Sequence, residues 1–363
     1  MCWDWDTFYS IDPMNVENDS YHPSGYRSAT EYDFDEGQAD AIVWATTYRR
    51  EDYRFSMIWF PPCEHDSIRS SIATPFRHVS DMGLGSLERL PLELLHIVIF
   101  SLDIYTLFKF RQANLRSRQI VDSLTEYQTV ASHGLNLLCA LLRARLPTDT
   151  TLSDIHCALC TKACAFCGEF AGFISLLIWK RCCIKCIRNV SETQVRTLAT
   201  IRSQFDFTQA QLDQLRSFRT LPRACSTKLR TRVVSGHQAI LVSGWQPSAI
   251  IVQALRGNWG GSIRFNFMGS CALPYLDRQT GDVEYALSCA GCQLAVEKGI
   301  IGSSADEWAF EVRVKVYTKS GFLEHFRWCK QAQLLWRLSD EGKHQSPELL
   351  YISHRGDYFV DRE

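Results

Sequence analysis

The spacing of apolar residues predicts a helical first half of the chain. One helix opens at Leu90-Pro91, where a proline in the first turn costs no hydrogen bond, and Asp103 and Asn114 are placed to cap the next two. A longer helical pattern follows over residues 126–146, with an interruption at His133-Gly134. Such short, closely spaced helices predict a compact helical bundle.

The second half of the chain mixes helical and strand-like patterns. Ser191 and Thr208 each stand three residues before a glutamine, a capping-box spacing that predicts two more helices. Ser320 is placed to cap a last helix that runs to about Leu338. Strand-like runs cover residues 262–267, 283–287 and 310–317, with a hairpin loop at 277–281. The fold class predicted for the whole chain is therefore α+β.

Residues 1–82 show no sustained period, and we predict that they are mostly disordered apart from a strand over residues 41–47. This part is acidic, because residues 1–60 contain 12 acidic and 4 basic side chains while the net charge of the whole chain is -1. A net charge so close to zero argues against a large contact surface for nucleic acid or for an anionic membrane.

Two absences in the sequence indicate an intracellular protein of the cytoplasm or nucleus without a membrane contact. The N-terminus lacks the layout of a signal peptide. No apolar run reaches the roughly 18 residues that a membrane span needs. In a reducing compartment, the 15 cysteines, several of them in Cys-x-x-Cys pairs, favour thiolate–metal chemistry over disulfides.

The first predicted metal site is a zinc site made of four cysteines. Cys164 and Cys167 are followed, after a gap typical of zinc ribbons, by Cys183 and Cys186. A tight turn in each pair brings both thiolates to about 2.3 Å from one ion, and two turns complete a tetrahedron. Gly168 suits the backbone conformation of such a turn.

Three neighbouring cysteines compete for the same role. Cys182 adjoins the second pair, while Cys157 and Cys160 form a further Cys-x-x-Cys. The latter two lie on an apolar helical pattern with Leu152 and Ile155, so we assign them to the core.

A second predicted zinc site combines Cys289 and Cys292 with His325 and Cys329. The histidine and the last cysteine are four residues apart, which places them on one face of a helix. Cys271 is the alternative fourth ligand.

Neither predicted site resembles a catalytic one. Catalytic zinc keeps three protein ligands and an open position, whereas each set here counts four. The sequence contains no His-Glu-x-x-His, nucleophile elbow or phosphate-binding loop. Thiol–disulfide exchange expects a single Cys-x-x-Cys at a strand-to-helix junction of a βαβ unit, a context that the pattern does not indicate. We therefore expect structural zinc and no enzymatic activity.

Residues 87–112 resemble an F-box, a short helical module. The matching positions are Leu90, Pro91, Glu93, Leu94, Leu95, Val98, Leu102 and Leu107, followed by the basic Arg116 and Arg118. The resemblance implies docking on a Skp1-type adaptor through Leu90, Pro91, Leu94, Leu95 and Leu107. The chain departs from the family at Ser117, where many members carry an aromatic residue. The wider layout, with cysteine pairs after the module, resembles a group of fungal F-box proteins.

The resemblance implies a substrate-receptor subunit of a Skp1–cullin–F-box ubiquitin ligase, which binds an unknown protein substrate and leaves catalysis to partner subunits. The alternative is a zinc-stabilised nucleic-acid-binding or regulatory protein, which needs a basic face such as residues 180–188 or 223–232. The predicted segments are the acidic residues 1–82, the F-box at 84–130, a helical region with the four-cysteine site at 131–235, a mixed region with the second site at 236–340, and a tail at 341–363.

Overall fold

The computed structural model describes most of the chain in several stretches. They are residues 26–49, 66–74, 83–144, 146, 150–220, 231–244, 264–302 and 307–345. The expectations for residues 1–25 and for the tail beyond residue 345 lie outside the described residues. Within them the chain mixes helices and strands, with helix predominating, which fits the predicted α+β class.

Polar caps begin two helices where the sequence predicts them. The Asp103 carboxylate accepts hydrogen bonds from the backbone N–H groups of Tyr105 and Thr106, at 2.9 and 3.0 Å. The Asn114 side chain accepts one from the N–H of Ser117, at 2.8 Å. The helices up to residue 159 are α1 (Ala39–Thr46), α2 (Asp66–Ala73), α3 (Leu92–Ser101), α4 (Ile104–Ala113), α5 (Leu115–Ser123), α6 (Thr125–His133), α7 (Leu135–Ala144) and α8 (Leu152–Leu159).

Helices α2–α8 share one hydrophobic core. It is built from residues that recur at helical spacing within each helix, such as Leu95 and Ile99 in α3 and Ile104 and Leu107 in α4. The core extends to Cys271 and Leu276 in the second half of the chain. This core therefore includes residues from each of the predicted segments 84–130, 131–235 and 236–340.

The remaining elements are short strands and helices. The strands are β1 (Thr47–Tyr48), β2 (Phe173–Ser175), β3 (Lys180–Cys182), β4 (Val195–Thr197), β5 (Ser217–Arg219), β6 (Arg232–Ser235), β7 (Ser270–Ala272), β8 (Tyr275–Leu276), β9 (Val283–Glu284), β10 (Leu287–Cys289) and β11 (Val316–Tyr317). The helices are α9 (Ile184–Asn189), α10 (Leu198–Gln204), α11 (Gln209–Gln214), α12 (Gly236–Ser243), α13 (Arg264–Met268), α14 (Ala290–Glu297), α15 (Glu307–Val314), α16 (Lys319–Phe326) and α17 (Lys330–Leu338). Short 3₁₀ helices cover Glu36–Gln38, Gly85–Arg89 and Ser191–Thr193.

The strands form small antiparallel sheets. Their orders are β1-β10-β11, β3-β2-β7, β4-β6-β5 and the hairpin β8-β9. The hairpin loop at 277–281 is confirmed, with Gly281 at φ 77° and the Asp277 carboxylate accepting from the N–H of Gln279 at 2.8 Å. Each sheet needs a partner from a distant part of the chain, so local sequence patterns define the strands poorly.

Residues 26–49 are part of the folded unit. The prediction that they are mostly disordered is therefore wrong. The predicted strand at 41–47 is wrong, because α1 occupies it and buries Ile42, Ala45 and Thr46, at helical spacing. Strand β1 then pairs with β10, with Thr47 opposite Cys289.

Other local predictions also fail. Residues 264–268 and 307–314 are helical, which overturns most of the strands predicted at 262–267 and 310–317. Ser191 starts only a 3₁₀ turn, whereas the capping box at Thr208 is confirmed. Thr318 rather than Ser320 caps the helix that follows it, and that helix ends at Phe326 instead of continuing to Leu338. None of the described helices combines the length and apolar character that crossing a bilayer requires.

Two candidate metal centres and an exposed apolar helix

The first cysteine pair lies in a tight turn of the backbone. The N–H of Gly168 donates to the carbonyl of Cys164 at 3.0 Å, and the N–H of Cys164 donates to the carbonyl of Glu169 at 2.7 Å. Gly168 has φ 76°, a left-handed conformation that glycine adopts without strain. This turn directs the Cys164 and Cys167 side chains toward the second pair, as the spacing predicts.

The second pair lies where strand β3 passes into helix α9. Cys183 is the N-cap of α9, and its sulfur accepts a hydrogen bond from the N–H of Cys186 at 3.4 Å. This contact uses a backbone N–H that would otherwise have no partner at a helix start, and the positive end of the helix favours a thiolate there.

The four sulfur atoms converge on one point. Cys164, Cys167, Cys183 and Cys186 offer ligand atoms that all lie within 4.8 Å of one another. The Sγ atoms of Cys167 and Cys183 are 3.6 Å apart. A disulfide would require about 2.05 Å, whereas a tetrahedral ion with metal–sulfur bonds of about 2.3 Å gives sulfur–sulfur edges of about 3.8 Å. This cluster, the first metal centre, could hold a metal ion.

The thiols of the first metal centre are electrostatically coupled. Hydrogen bonds from the Cys183 and Cys186 side chains lower the pKa of the Cys164 thiol. Hydrogen bonding to Cys164 in turn raises the pKa of Cys183 and of Cys186. So many thiolates cannot be charged together at this distance without a positive ion between them.

The competing cysteines do not join this cluster. Cys182 is buried, its sulfur lies 3.2 Å from the carbonyl of Lys180, and burial raises its pKa to about 12. Cys160 is half-buried. Cys157 is exposed rather than in the core as predicted, because it lies on the side of α8 opposite the buried Ile155 and Leu159. A guanidinium nitrogen of Arg278 donates to its sulfur at 3.4 Å.

The second set of ligands is built on the same kind of junction. Strand β10 passes into helix α14, Cys289 is the N-cap, and its sulfur accepts from the N–H of Cys292 at 3.4 Å. His325 lies in the last turn of α16 and Cys329 is the N-cap of α17. The predicted single helix is therefore broken between His325 and Cys329, but the turn still brings both side chains to the same site.

The geometry of this second metal centre is again tetrahedral in scale. Its four ligand atoms lie within 4.8 Å of one another. The Sγ atoms of Cys289 and Cys329 are 3.8 Å apart, and Sγ of Cys292 is 3.3 Å from Nε2 of His325. The three cysteines are buried and the histidine is half-buried. Cys271 lies elsewhere, opposite Ile174 in the β2–β7 pair, so the alternative fourth ligand is excluded.

Residues 26–48, here called the N-terminal segment, contact the second metal centre. The sequence did not predict this contact. The Tyr26 hydroxyl lies 3.4 Å from Sγ of Cys292, and burial raises the pKa of Tyr26, which keeps this hydroxyl protonated as a donor. Arg27 forms a β-bridge with Cys329. The ring of Tyr317 stacks on His325 with centroids 4.8 Å apart. Such contacts orient metal ligands and favour their charged form.

One cysteine pair of each centre shares a strand-to-helix position with redox-active pairs but differs from them in its surroundings. The pairs Cys183/Cys186 and Cys289/Cys292 both lie at strand-to-helix junctions, as a redox pair does. The strands there are antiparallel, however, and each pair faces two further ligands rather than a single exposed partner. This arrangement suits coordination of an ion more than exchange of a disulfide.

Helix α3 presents an apolar face to solvent. Of the five residues assigned to adaptor docking, Pro91 and Leu94 are exposed and Leu90 is half-buried, while Leu95 and Leu107 are 6% and 1% exposed within the helical core. Ile97 and Val98, which the assignment omitted, lie three and four residues after Leu94 and therefore on its face of the helix, with 64% and 46% of their surface exposed. Leu92, in the first turn, is 47% exposed but lies on another side of the helix.

Comparison of the chain with protein-family models, with curated proteins and with solved structures finds no match.

Proposed function

We propose that both metal centres bind zinc and that the zinc is structural. Each centre offers four ligands, which leaves no coordination position for a substrate or an activated water. Thiolates and imidazole are the ligands that zinc prefers, and the sulfur–sulfur distances of 3.6 and 3.8 Å suit a tetrahedral ion. Metal quantification on the purified chain is expected to give two zinc ions per chain.

We further propose that the chain is a non-catalytic receptor subunit that docks on a Skp1-type adaptor, and through it on a cullin, to present a protein substrate for ubiquitination. The observation that carries this proposal is the exposed apolar face of α3, which begins at the Leu90-Pro91 pair of the F-box resemblance. Solvent exposure of contiguous leucine, isoleucine and valine side chains is characteristic of interaction surfaces.

The buried members of the resemblance take a different role in this proposal. Leu95 and Leu107 hold the helices together, and the docking surface consists of Pro91, Leu94, Ile97 and Val98. Ser117, the departure from the family, supports the third helix of the module, α5. Its buried hydroxyl accepts a hydrogen bond from the backbone N–H of Asn114 at 3.1 Å.

The alternative of a nucleic-acid-binding protein gains little support from the side chains around the first metal centre. Lys185 pairs with Glu311 at 2.9 Å. Arg181 is buried and donates to the carbonyls of Leu273 and Pro274 at 2.8 and 3.2 Å. These cations already have partners within the chain, so they do not form the free basic face that nucleic acid requires.

Co-purification with a Skp1-type adaptor tests the receptor proposal. We expect the wild-type chain to capture the adaptor and the Leu94→Asp/Ile97→Asp variant to lose it, because placing charges in an apolar interface costs at least about 2 kcal/mol per key residue. Both side chains are exposed, so the variant is expected to fold.

Leu241→Asp is the matched control, since Leu241 is 66% exposed on α12, away from this face. Zinc content measured on the same material reports folding. Failure of the folded, zinc-loaded wild type to capture the adaptor would refute the receptor proposal and leave a zinc-stabilised binding protein.

A further inference from the structure

A cleft separates the N-terminal segment from helix α17, away from the apolar face of α3. Its volume is about 350 Å³, within the usual range of ligand-binding pockets, about 300–1,000 Å³. Its lining includes Arg27, Ser28, Glu31, Lys330, Gln333 and Arg337.

The lining of this cleft is strongly cationic. Arg27, Lys330 and Arg337 contribute three positive charges, and none of them forms an ion pair with another described residue. The single carboxylate in the lining, that of Glu31, is held by Arg327 at 2.9 Å, outside the set of lining cations. Three cations in one concave surface repel one another unless an anion lies between them.

The cations are placed so that one ligand can reach them together. Lys330 and Arg337 are seven residues apart on α17, which puts them on one face with a separation of about 10 Å. The side chains of Lys330 and Arg337 are long enough to contact one ligand that lies between them. The Arg27 guanidinium lies 4.5 Å from the centroid of the Trp328 ring, a stacking contact that restrains it at the entrance.

The floor of the cleft is preorganised rather than mobile. Gln333 is buried, with its amide nitrogen donating to the carbonyls of Phe326 and Arg327 at 3.0 and 2.9 Å. Its amide oxygen accepts from the Ser28 hydroxyl at 2.5 Å, which ties α17 to the N-terminal segment. The cations therefore project from a fixed surface, which lowers the entropy cost of binding.

We propose that this cleft binds a phosphoryl group. Such a group carries a charge of about −1.5 to −2 and three acceptor oxygens, which suits several cations better than the single charge of a carboxylate does. Arginine forks also match the geometry of phosphate oxygens. The site is distinct from the proposed adaptor-docking face, and binding there does not depend on the adaptor.

Fluorescence anisotropy on the full chain tests the proposal, with the fluorescein-labelled peptide Gly-Ala-phosphoserine-Ala-Gly as the probe and its unphosphorylated form as the comparison. We expect the phosphorylated peptide to bind and Arg337→Glu to weaken its binding on the order of tenfold to a hundredfold. Lys109→Glu is the matched control, because it makes the same type of charge reversal at an exposed residue outside the cleft.

Competition identifies the source of the phosphoryl group. Displacement of the peptide by inorganic phosphate at similar concentration would assign the site to free phosphorylated molecules, whereas weak displacement would assign it to a protein segment; either supports a phosphoryl site. The proposal is overturned if the zinc-loaded chain binds neither probe, if both peptides bind equally, or if Arg337→Glu and Lys109→Glu behave alike. Arg337→Ala, which removes the charge without reversing it, must show a smaller loss of the same kind.

Discussion

The two metal centres use the same strand-to-helix turn but organise very different amounts of the chain. The first gathers ligands from residues 164–186 alone, and one of them, Cys167, is exposed. The second gathers ligands from residues 289–329, buries its three cysteines, and is enclosed by the N-terminal segment through Tyr26, Arg27 and Thr47. The same local motif thus takes all its ligands from one short segment in the first case and joins ligands from distant parts of the sequence in the second.

Loss of the second metal centre should have the largest effect. We expect Cys292→Ser to reduce zinc from two ions to one and to release residues 26–48 together with α14. Structural zinc contributes about 10–16 kcal/mol to the folding of the regions it organises. Hydrogen exchange should show lost protection in both segments, while Cys157→Ser, at an exposed non-ligand thiol, should leave it unchanged. Intact protection of residues 26–48 in the zinc-depleted variant would contradict this coupling.

Loss of the first metal centre should have a smaller, confined effect. We expect Cys164→Ser to remove one zinc ion and to raise hydrogen exchange over residues 163–189, because all four ligands lie in that segment. Residues 26–48 should keep their protection. Cys182→Ala, beside a ligand but outside the cluster, is the control. If residues 26–48 also opened, the two centres would form one cooperative unit and the contrast between them would be lost.

The smallest effect is expected from Tyr26→Phe, which keeps the aromatic ring and removes only the hydroxyl that contacts Cys292. Loss of a hydrogen bond to a metal ligand typically weakens metal affinity about 10–100-fold. Competition with a chromophoric chelator should show weaker binding at the second centre alone. Tyr105→Phe, whose hydroxyl donates to the carbonyl of Leu142 at 2.9 Å, is the control. Equal zinc affinity in Tyr26→Phe and the wild type would remove Tyr26 from the metal centre.

The features that could be predicted from the sequence are those set by residues close to one another along the chain or by metal-ligand spacing. The caps at Asp103 and Asn114 involve backbone groups two or three residues away, so they are readable locally. The two ligand sets could be predicted because metal geometry restricts spacing, and the structure brings each set together. The helix at residues 41–46 could not be predicted, because a short apolar run suits a strand or a buried helix equally.

The exposure of the residues assigned to adaptor docking at α3 could not be read from the sequence for a similar reason. Leu94 and Leu95 are adjacent and equally apolar, but the helix turns one toward solvent and the other into the core. Which side faces inward depends on α4–α8, whose packing is set by residues far along the chain. The contacts of Tyr26 with the second centre are more distant still, and no motif in residues 26–48 marks them.

The enclosure of the second centre by residues 26–48 also has a consequence for biosynthesis. Cys329 is made about 280 residues after residue 48, an interval of about 15 to 60 s at typical rates of chain elongation. During that time Ile42 and Ala45 lack the surface that buries them. The first centre has no such delay once residue 186 has emerged. We therefore expect the nascent chain to acquire its two zinc ions in sequence, with the N-terminal segment dependent on chaperones until the second arrives.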